Sequence, residues 1–296
     1  MKVVVAGGTG FLGAALVDAM QRAGHAVTVL TRAPKADGQV AWTPDGTAGD
    51  WAGVVDGADA VVNLAGESLA AARWTDDQKS AIDNSRIKAT RSLANAIKAA
   101  AHPPAVFLSG SAVGYYGPHG DESLTEETAA GTDFLAMVCN QWEWEAQQVP
   151  DGTRVVLLRT GLVLDGAGGA LPQIVKPFRM MAGGPLGSGR RYWSWIHIDD
   201  WVGITLRALE SAKLAGPVNV TAPHPATNAE FAHMLGLVLK VPSIVHTPGF
   251  VLRAMLGEMA DALLLSGQRV LPQKAHWDGY AFRFPDLKPA LDAALI

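Results

Sequence analysis

The stretch "VVVAGGTGFLGAAL", Val3 to Leu16, decides how the rest of the chain is read. Three valines in a row form a short, wholly apolar run, the kind buried on both faces of a parallel sheet. Gly7, Gly10 and Gly13 follow at three-residue intervals. Apolar positions then recur with a helical period up to Gly24, a natural left-handed stop. The early glycines permit a tight turn and close approach of phosphate oxygens, and Gly13 lets the helix pack on the strand. The helix N-terminus adds amide donors and the positive end of a dipole. A glycine triplet alone also serves plain chain reversal. Strand, triplet and helix in this order predict a dinucleotide site.

The same alternation continues. "HAVTVLTR", "GVVDGADAVVNLAG", "PAVFLSGSAVG" and "RVVLLRTGLVL" read as or end in uncharged strands, and "AIDNSRIKATRSLANAIKAA" reads as a long helix. Strands and helices in turn predict an α/β fold, a doubly wound parallel sheet of Rossmann type. After Leu164 the texture changes to "DGAGGALPQIVKPFRMMAGGPLGSGRRYWSWIHIDDW", rich in Gly, Pro and aromatics and too long for a simple connection. "WVGITLRALESA" and "PVNVTA" return as helix and strand, and the chain from Thr227 onward reads as mainly helical. The expected plan is a nucleotide-binding domain over 1–164, rejoined by 196–222, with 165–195 and 223–296 forming a smaller, mainly helical C-terminal substrate lobe. Ligands of such sheets bind at the carboxyl edge of the strands.

Composition narrows the function classes. The 296 residues are 49% hydrophobic and 18% charged, with a net charge of -4 and no long run of one sign. Nucleic acid and an anionic membrane surface are therefore poor partners, and a small-molecule substrate is expected. Cys139 is the only cysteine, which fits a reducing compartment, and the opening apolar run is too short for a signal peptide or a span. A cytoplasmic protein is expected. No His/Cys/Asp/Glu cluster has metal spacing, so no metal is expected.

The second strand selects the cofactor. NAD-binding folds place an acid at its end to hold the ribose diol. Here the sequence is "VTVLTRAPK", with Arg32 at that place and Lys35 close by. An acid would repel a 2′-phosphate, whereas a guanidinium pairs with it through two hydrogen bonds. NADP(H) is expected over NAD; the alternative is that Arg32 is a solvated loop residue. "NLAGES" after the next strand offers small residues for close approach to the cofactor's adenosine side, with Glu67 at the rim.

Together these residues resemble the extended, epimerase/dehydratase-like branch of the short-chain dehydrogenase/reductase superfamily. "AGGTGFLG" is similar to its glycine motif, "VVNLAGE" to the segment after the fourth strand, and "LSGSAVGYYG" to the strand end that carries the catalytic serine. "GSGRRYWSWIHIDDW" is similar to a late motif of the family, and the tail from Phe250 resembles the C-terminal domain of unknown function of one atypical sub-group. Members of that sub-group go by the names of sugar-nucleotide epimerase and cell-division inhibitor. The resemblance implies that Gly7, Thr9, Gly10, Phe11 and Leu12 hold the pyrophosphate. It implies that Arg32 selects NADP, that Leu64, Ala65, Gly66 and Glu67 lie along the adenosine side, that Ser109 flanks the site, and that Gly161 and Val163 pass the nicotinamide. Ser111 takes the place of the catalytic serine.

The match breaks at one place. The superfamily moves its proton with Tyr-x-x-x-Lys, where the lysine lowers the phenol's pKa. The corresponding stretch is "TDFLAMVCNQWEWEA", with Phe134 and Val138 at the two positions; a shift of one residue gives Leu135 and Cys139. Three readings stay open. Another group supplies the proton, with Tyr115, Tyr116, Glu67 and His197 as the candidates. A tyrosine without the lysine keeps a pKa near ~10, a poor base but a usable acid. In the second reading the protein binds NADP(H) without turnover, as a regulator or scaffold. In the third, binding and orientation alone drive a slow reduction of a reactive carbonyl.

The remaining marked residues have plain readings beside the functional ones. His197 is expected to orient Asp199 or Asp200. Arg190, Arg191 and Trp193 suit an anionic group such as a diphosphate, or line a solvated loop. Arg86 and Lys88 lie on the long helix, with a surface role favoured for Lys88. Phe134, Val138, Cys139 and Trp142 share a helical face turned to the core or to a partner, and Cys139 is expected to be an apolar filler rather than a reactive thiol. A homodimer through this flank of the sheet is an expectation from the resemblance. The reading reached is an NADP(H)-dependent oxidoreductase or epimerase-like enzyme acting on a small carbonyl or hydroxyl substrate, with a non-catalytic NADP(H)-binding protein as the alternative.

Overall fold

Apolar β-branched runs bounded by glycine turns become the strands of one sheet. The computed structural model describes residues 1–295. In chain order the elements open with β1 (Lys2–Ala6), α1 (Phe11–Arg22), β2 (Ala26–Thr31), β3 (Gln39–Ala41), β4 (Ala60–Asn63), α2 (Asp76–Ala99) and β5 (Val106–Ala112). They continue with β6 (Ser123–Leu124), α3 (Phe134–Ala146), β7 (Arg154–Thr160), β8 (Leu162–Leu164), α4 (Leu171–Arg179), β9 (Tyr192–Trp193), β10 (Trp195–His197), α5 (Ile198–Glu210) and β11 (Gly216–Val220). The remainder is β12 (Ala226–Thr227), α6 (Asn228–Leu239), α7 (Gly249–Leu256), α8 (Glu258–Ala260), a π-helical turn (Asp261–Leu265), β13 (Arg269–Val270), α9 (Gln273–Trp277) and α10 (Leu287–Leu295).

The central sheet has seven strands in the order β11-β7-β5-β4-β1-β2-β3. β1 sets the register: Val4 lies opposite Thr28 of β2 and Val61 of β4, both parallel. The strand order reverses at β1, so the crevice above the carboxyl ends of β1 and β4 is where such a fold admits a ligand. Two elements escape a reading by composition. β3 is a three-residue edge strand with no apolar pattern of its own. α4 lies inside the Gly- and Pro-rich stretch, with Pro172 in its first turn, where a missing N–H costs nothing, and Pro177 near its end.

The chain divides into two compact units, one of Met1–Ser111, Val138–Leu158 and Val202–Val218, the other of Ala112–Met137, Arg159–Trp201 and Asn219–Ile296. The first unit has its core where β1, β4 and β5 meet α2. Val4, Val61 and Phe107 pack with Ala89, Leu93, Ala96 and Ile97, and with Trp42 and Trp51, whose rings meet edge to face. The second packs Trp193, Trp195, Phe178, Phe231, Leu235 and Leu291 into a core of its own. A capping box starts α6, with the Thr227 hydroxyl on the Glu230 N–H and the Glu230 carboxylate on the Thr227 N–H. No helix among the described residues is long and apolar enough to cross a membrane.

Candidate active site

The glycine loop is built by exclusion of side chains. Gly7 has φ +79°, a left-handed conformation, and a Cβ there would lie 2.6 Å from the Leu64 carbonyl carbon. A Cβ on Gly13 would lie 2.1 Å from the Gly7 carbonyl oxygen, so only glycine lets α1 pass over the loop. Gly10 caps α1 without any side-chain hydrogen bond, which leaves the N–H groups of Phe11, Leu12 and Gly13 at the helix mouth without a side-chain cap. Thr9 and Gly10 are exposed at this mouth, and Phe11 and Leu12 are half-buried. This cradle fits a pyrophosphate: amide donors and a dipole end face an opening kept clear of Cβ atoms. Arg32 follows the end of β2 with an exposed side chain, as does Lys35.

The end of β4 is braced from beneath. Asn63 is fully buried; its amide donates to the Thr90 hydroxyl at 2.8 Å, and its carbonyl oxygen accepts from the Ala65 N–H at 3.2 Å. Leu64 and Ala65 are half-buried and Gly66 is exposed. The Glu67 N–H donates to the Ser85 hydroxyl at 2.8 Å, and the Glu67 carbonyl accepts from the Arg86 guanidinium at 3.0 Å. Arg86 also lies over the Trp142 ring at 5.3 Å. Burial pushes the guanidinium's pKa down, opposed by Cys139, Glu67 and Asp83. Arg86 is thus a brace for this loop, while Lys88 is exposed.

Ser109 and Ser111 lie near the end of β5, both buried. The Ser109 hydroxyl donates over a long 3.4 Å to the Gly110 carbonyl. Ser111 donates to the Glu143 carboxylate of α3 at 2.6 Å, with both residues buried. Two residues on, the buried carboxylate of Glu145 receives the Arg91 guanidinium in a fork. Glu143 and Glu145 are absent from the sequence reading. The signal was two acids among apolar residues on a helix that flanks the sheet, and polarity alone reads such acids as solvent-facing. Val138, Cys139 and Trp142 are buried and Phe134 is half-buried, whereas Met137 and Trp144 are exposed.

The second unit holds the two tyrosines. They end a 3-10 turn, Val113–Tyr116, and their rings meet edge to face. Tyr116 is fully buried, donates to the Asn219 side-chain oxygen at 2.6 Å and accepts from Arg159 at 3.0 Å. Burial pushes its phenol up to about 12, against the opposing pull of Arg159. Tyr115 is half-buried, with the Arg159 guanidinium 3.4 Å over its ring. Gly161 donates its N–H to the Val220 carbonyl at 3.1 Å, and Val163 is buried in β8 opposite Ile196 of β10. His197 is buried, accepts the Asp199 N–H at 3.1 Å on Nδ1, and packs on Phe284 at 4.1 Å between ring centres. Desolvation lowers its pKa, opposed by Asp199 and Asp200. Asp200 ties the tail: it accepts from the Tyr280 hydroxyl at 3.0 Å and from the N–H groups of Arg283 and Phe284 at 2.8 Å each. Arg190 and Arg191 are exposed, Arg191 donating to the His119 carbonyl, and Trp193 is buried. Among the described residues no three His, Cys, Asp or Glu side chains gather to hold a metal ion.

Comparison with known proteins agrees with this geometry. Residues 3–221 match the NAD dependent epimerase/dehydratase family, and residues 247–294 match a domain of unknown function, DUF1731. The chain is 40% identical to the chloroplastic epimerase family protein SDR39U1 homolog of Arabidopsis thaliana, over 100% of this chain and 87% of that protein. It superposes with a TM-score of 0.93 on the crystal structure of human epimerase family protein SDR39U1 with NADPH, at 37% identity and covering 100% and 99% of the two chains. A nucleoside-diphosphate sugar epimerase from Corynebacterium glutamicum is similar at 35% identity and a TM-score of 0.82, covering 100% of this chain and 58% of that one. With a parallel dinucleotide fold, a side-chain-free glycine cradle and a family match over most of its length, the chain belongs to the NAD dependent epimerase/dehydratase family.

Proposed function

We propose that this protein binds NADPH at the carboxyl edge of its sheet and uses it in reversible reduction of a small carbonyl compound, at a site without the Tyr-x-x-x-Lys pair. The carrying observation is the cradle of Gly7, Gly10 and Gly13 at the uncapped N-terminus of α1, followed by Arg32 where an NAD-selective fold has an acid. The human relative crystallised with NADPH supports the choice of cofactor. Bound there, the nicotinamide supplies or accepts a hydride. Gly7, Thr9, Gly10, Phe11 and Leu12 hold the pyrophosphate. Leu64, Ala65, Gly66 and Glu67 line the adenosine side, with Ser109 beside them. Gly161 and Val163 pass the nicotinamide, and Ser111 meets the reacting oxygen. Residues 1–164 with 196–222 serve the cofactor, and 165–195 with 223–296 select the substrate. Tyr116 serves as structure, since its hydroxyl is engaged on both sides and its raised pKa disfavours proton loss. Tyr115 remains the tyrosine able to touch substrate.

The deciding experiment is a fluorescence titration with NADPH and NADH. Arg32 pairing with a 2′-phosphate is a charge-assisted contact of about 1.5–3 kcal/mol. Arg32→Asp should therefore weaken NADPH by roughly 10- to 100-fold and leave NADH the better ligand. An unchanged preference would refute the role of Arg32. No NADPH binding at micromolar concentration would sink the reading altogether.

A second reading is NADPH binding without turnover, favoured by Phe134 and Val138 at the superfamily's proton-transfer positions. It predicts tight NADPH binding with no consumption of NADPH in the presence of a reactive 1,2-dicarbonyl such as phenanthrenequinone.

A further inference from the structure

The proton that Tyr-x-x-x-Lys would move needs another carrier, and the helix that lost those residues brings a different acid to the end of β5. Residues four apart on a helix share a face. Leu135, Cys139 and Glu143 therefore form one stripe on α3, and Glu143 is its last member. Glu143 is buried, and its Oε1 takes the Ser111 hydroxyl at 2.6 Å. That is a short O–H···O contact to the next-to-last residue of β5. We infer that Ser111 and Glu143 form a proton relay, with Ser111 the catalytic residue at the substrate oxygen and Glu143 a positioning residue that stores the proton behind it. The inference rests on the carbonyl-reduction reading above.

The chemistry balances in both directions. A hydroxyl has one donor and two acceptor lone pairs. With its hydrogen on Glu143, Ser111 Oγ offers a lone pair to a substrate hydroxyl. In oxidation, the substrate O–H breaks and its proton goes to Ser111 Oγ. The original Ser111 O–H breaks at the same time, and its proton goes to Glu143 Oε1. The carbon's hydride goes to the oxidised nicotinamide, and the C–O single bond becomes C=O. Glu143, now a neutral acid, returns its proton to water. Reduction reverses each step, with Glu143 starting as the acid and ending as the carboxylate. The neighbouring Glu145 has its own role: the Arg91 guanidinium holds it in a fork, and it anchors α3 to α2.

The test reads Glu143 directly, without a substrate. Infrared difference spectra of the full chain are taken at one pH for wild type minus Glu143→Gln and for wild type minus Ser111→Ala. The expected result is a Glu143 carboxyl band that is absent in Glu143→Gln and changes frequency in Ser111→Ala. A Glu143 band at the same frequency in wild type and Ser111→Ala overturns the relay. If Glu143→Gln does not fold, the frequency change in Ser111→Ala decides the same point. The kinetic arm follows NADPH consumption with phenanthrenequinone. Glu143→Gln should keep the wild-type affinity for NADPH and lose about 100-fold or more in kcat. A variant with the wild-type kcat also overturns the relay. Failure of the wild type to bind NADPH would count against the cofactor reading alone, and the infrared result would still decide Glu143.

Discussion

At the scale of single residues, the molecule is governed by where a Cβ has no room. Gly13 is the sharpest case, because its missing side chain faces the backbone oxygen of Gly7 and neither can yield cheaply. Gly13→Ala should cost about 1–3 kcal/mol, the usual penalty of overpacking. The loss should appear as a fall of several degrees in Tm together with weaker NADPH binding. A variant with unchanged Tm and affinity would show that the loop does not need the close approach. The glycine pattern was fully legible in the sequence, since steric exclusion at a tight turn is a local rule. Tyr115 and Tyr116 were not separable in that way. Adjacent and identical in type, they differ only because Asn219 and Arg159 meet the hydroxyl of one, while Arg159 lies closer over the ring of the other.

At the scale of elements, the start of α5 concentrates the chemistry of the late motif. His197 accepts the Asp199 N–H, and Asp200 gathers the Tyr280 hydroxyl and two tail N–H groups. The sequence leaves Asp199 and Asp200 open as the partner of His197, and its ring nitrogen accepts the backbone N–H of Asp199. Burial holds the His197 pKa below its ordinary value near 6.5, so the folded state keeps a neutral ring. The unfolded chain then binds the proton more readily between the two values, and stability must rise with pH across that window. The stabilisation is present above about pH 6.5 and is lost as pH falls through it toward the depressed folded value. Thermal melts at pH values on either side should show this loss, and His197→Gln should flatten it. An equal acid slope in wild type and variant would place the proton elsewhere. The helix α3 tells the same story of partial legibility. Its apolar stripe was readable from spacing, but spacing does not say that Glu143 and Glu145 meet Ser111 and Arg91 in the interior.

At the scale of the whole molecule, cofactor binding and stability are one equilibrium. A ligand that binds only the folded chain stabilises it by about 2.7 kcal/mol when present at roughly 100 times its dissociation constant. NADPH should therefore raise Tm in a concentration-dependent way, and NADH at equal concentration should raise it less. Equal shifts from the two cofactors would contradict selection at Arg32, even if both bind.

The sequence by itself determined the parallel dinucleotide fold and the location of its glycine loop. Both follow from short-range rules: β-branched runs, helical periodicity, and glycines at a turn that excludes Cβ. Tertiary structure alone decided which polar groups are partners. Ser111 and Glu143 are 32 residues apart, and Tyr116 and Asn219 are 103 apart. No local pattern encodes such pairings. They exist because folding removes these groups from water, where each must find a hydrogen-bond partner in the packed interior or cost the fold free energy.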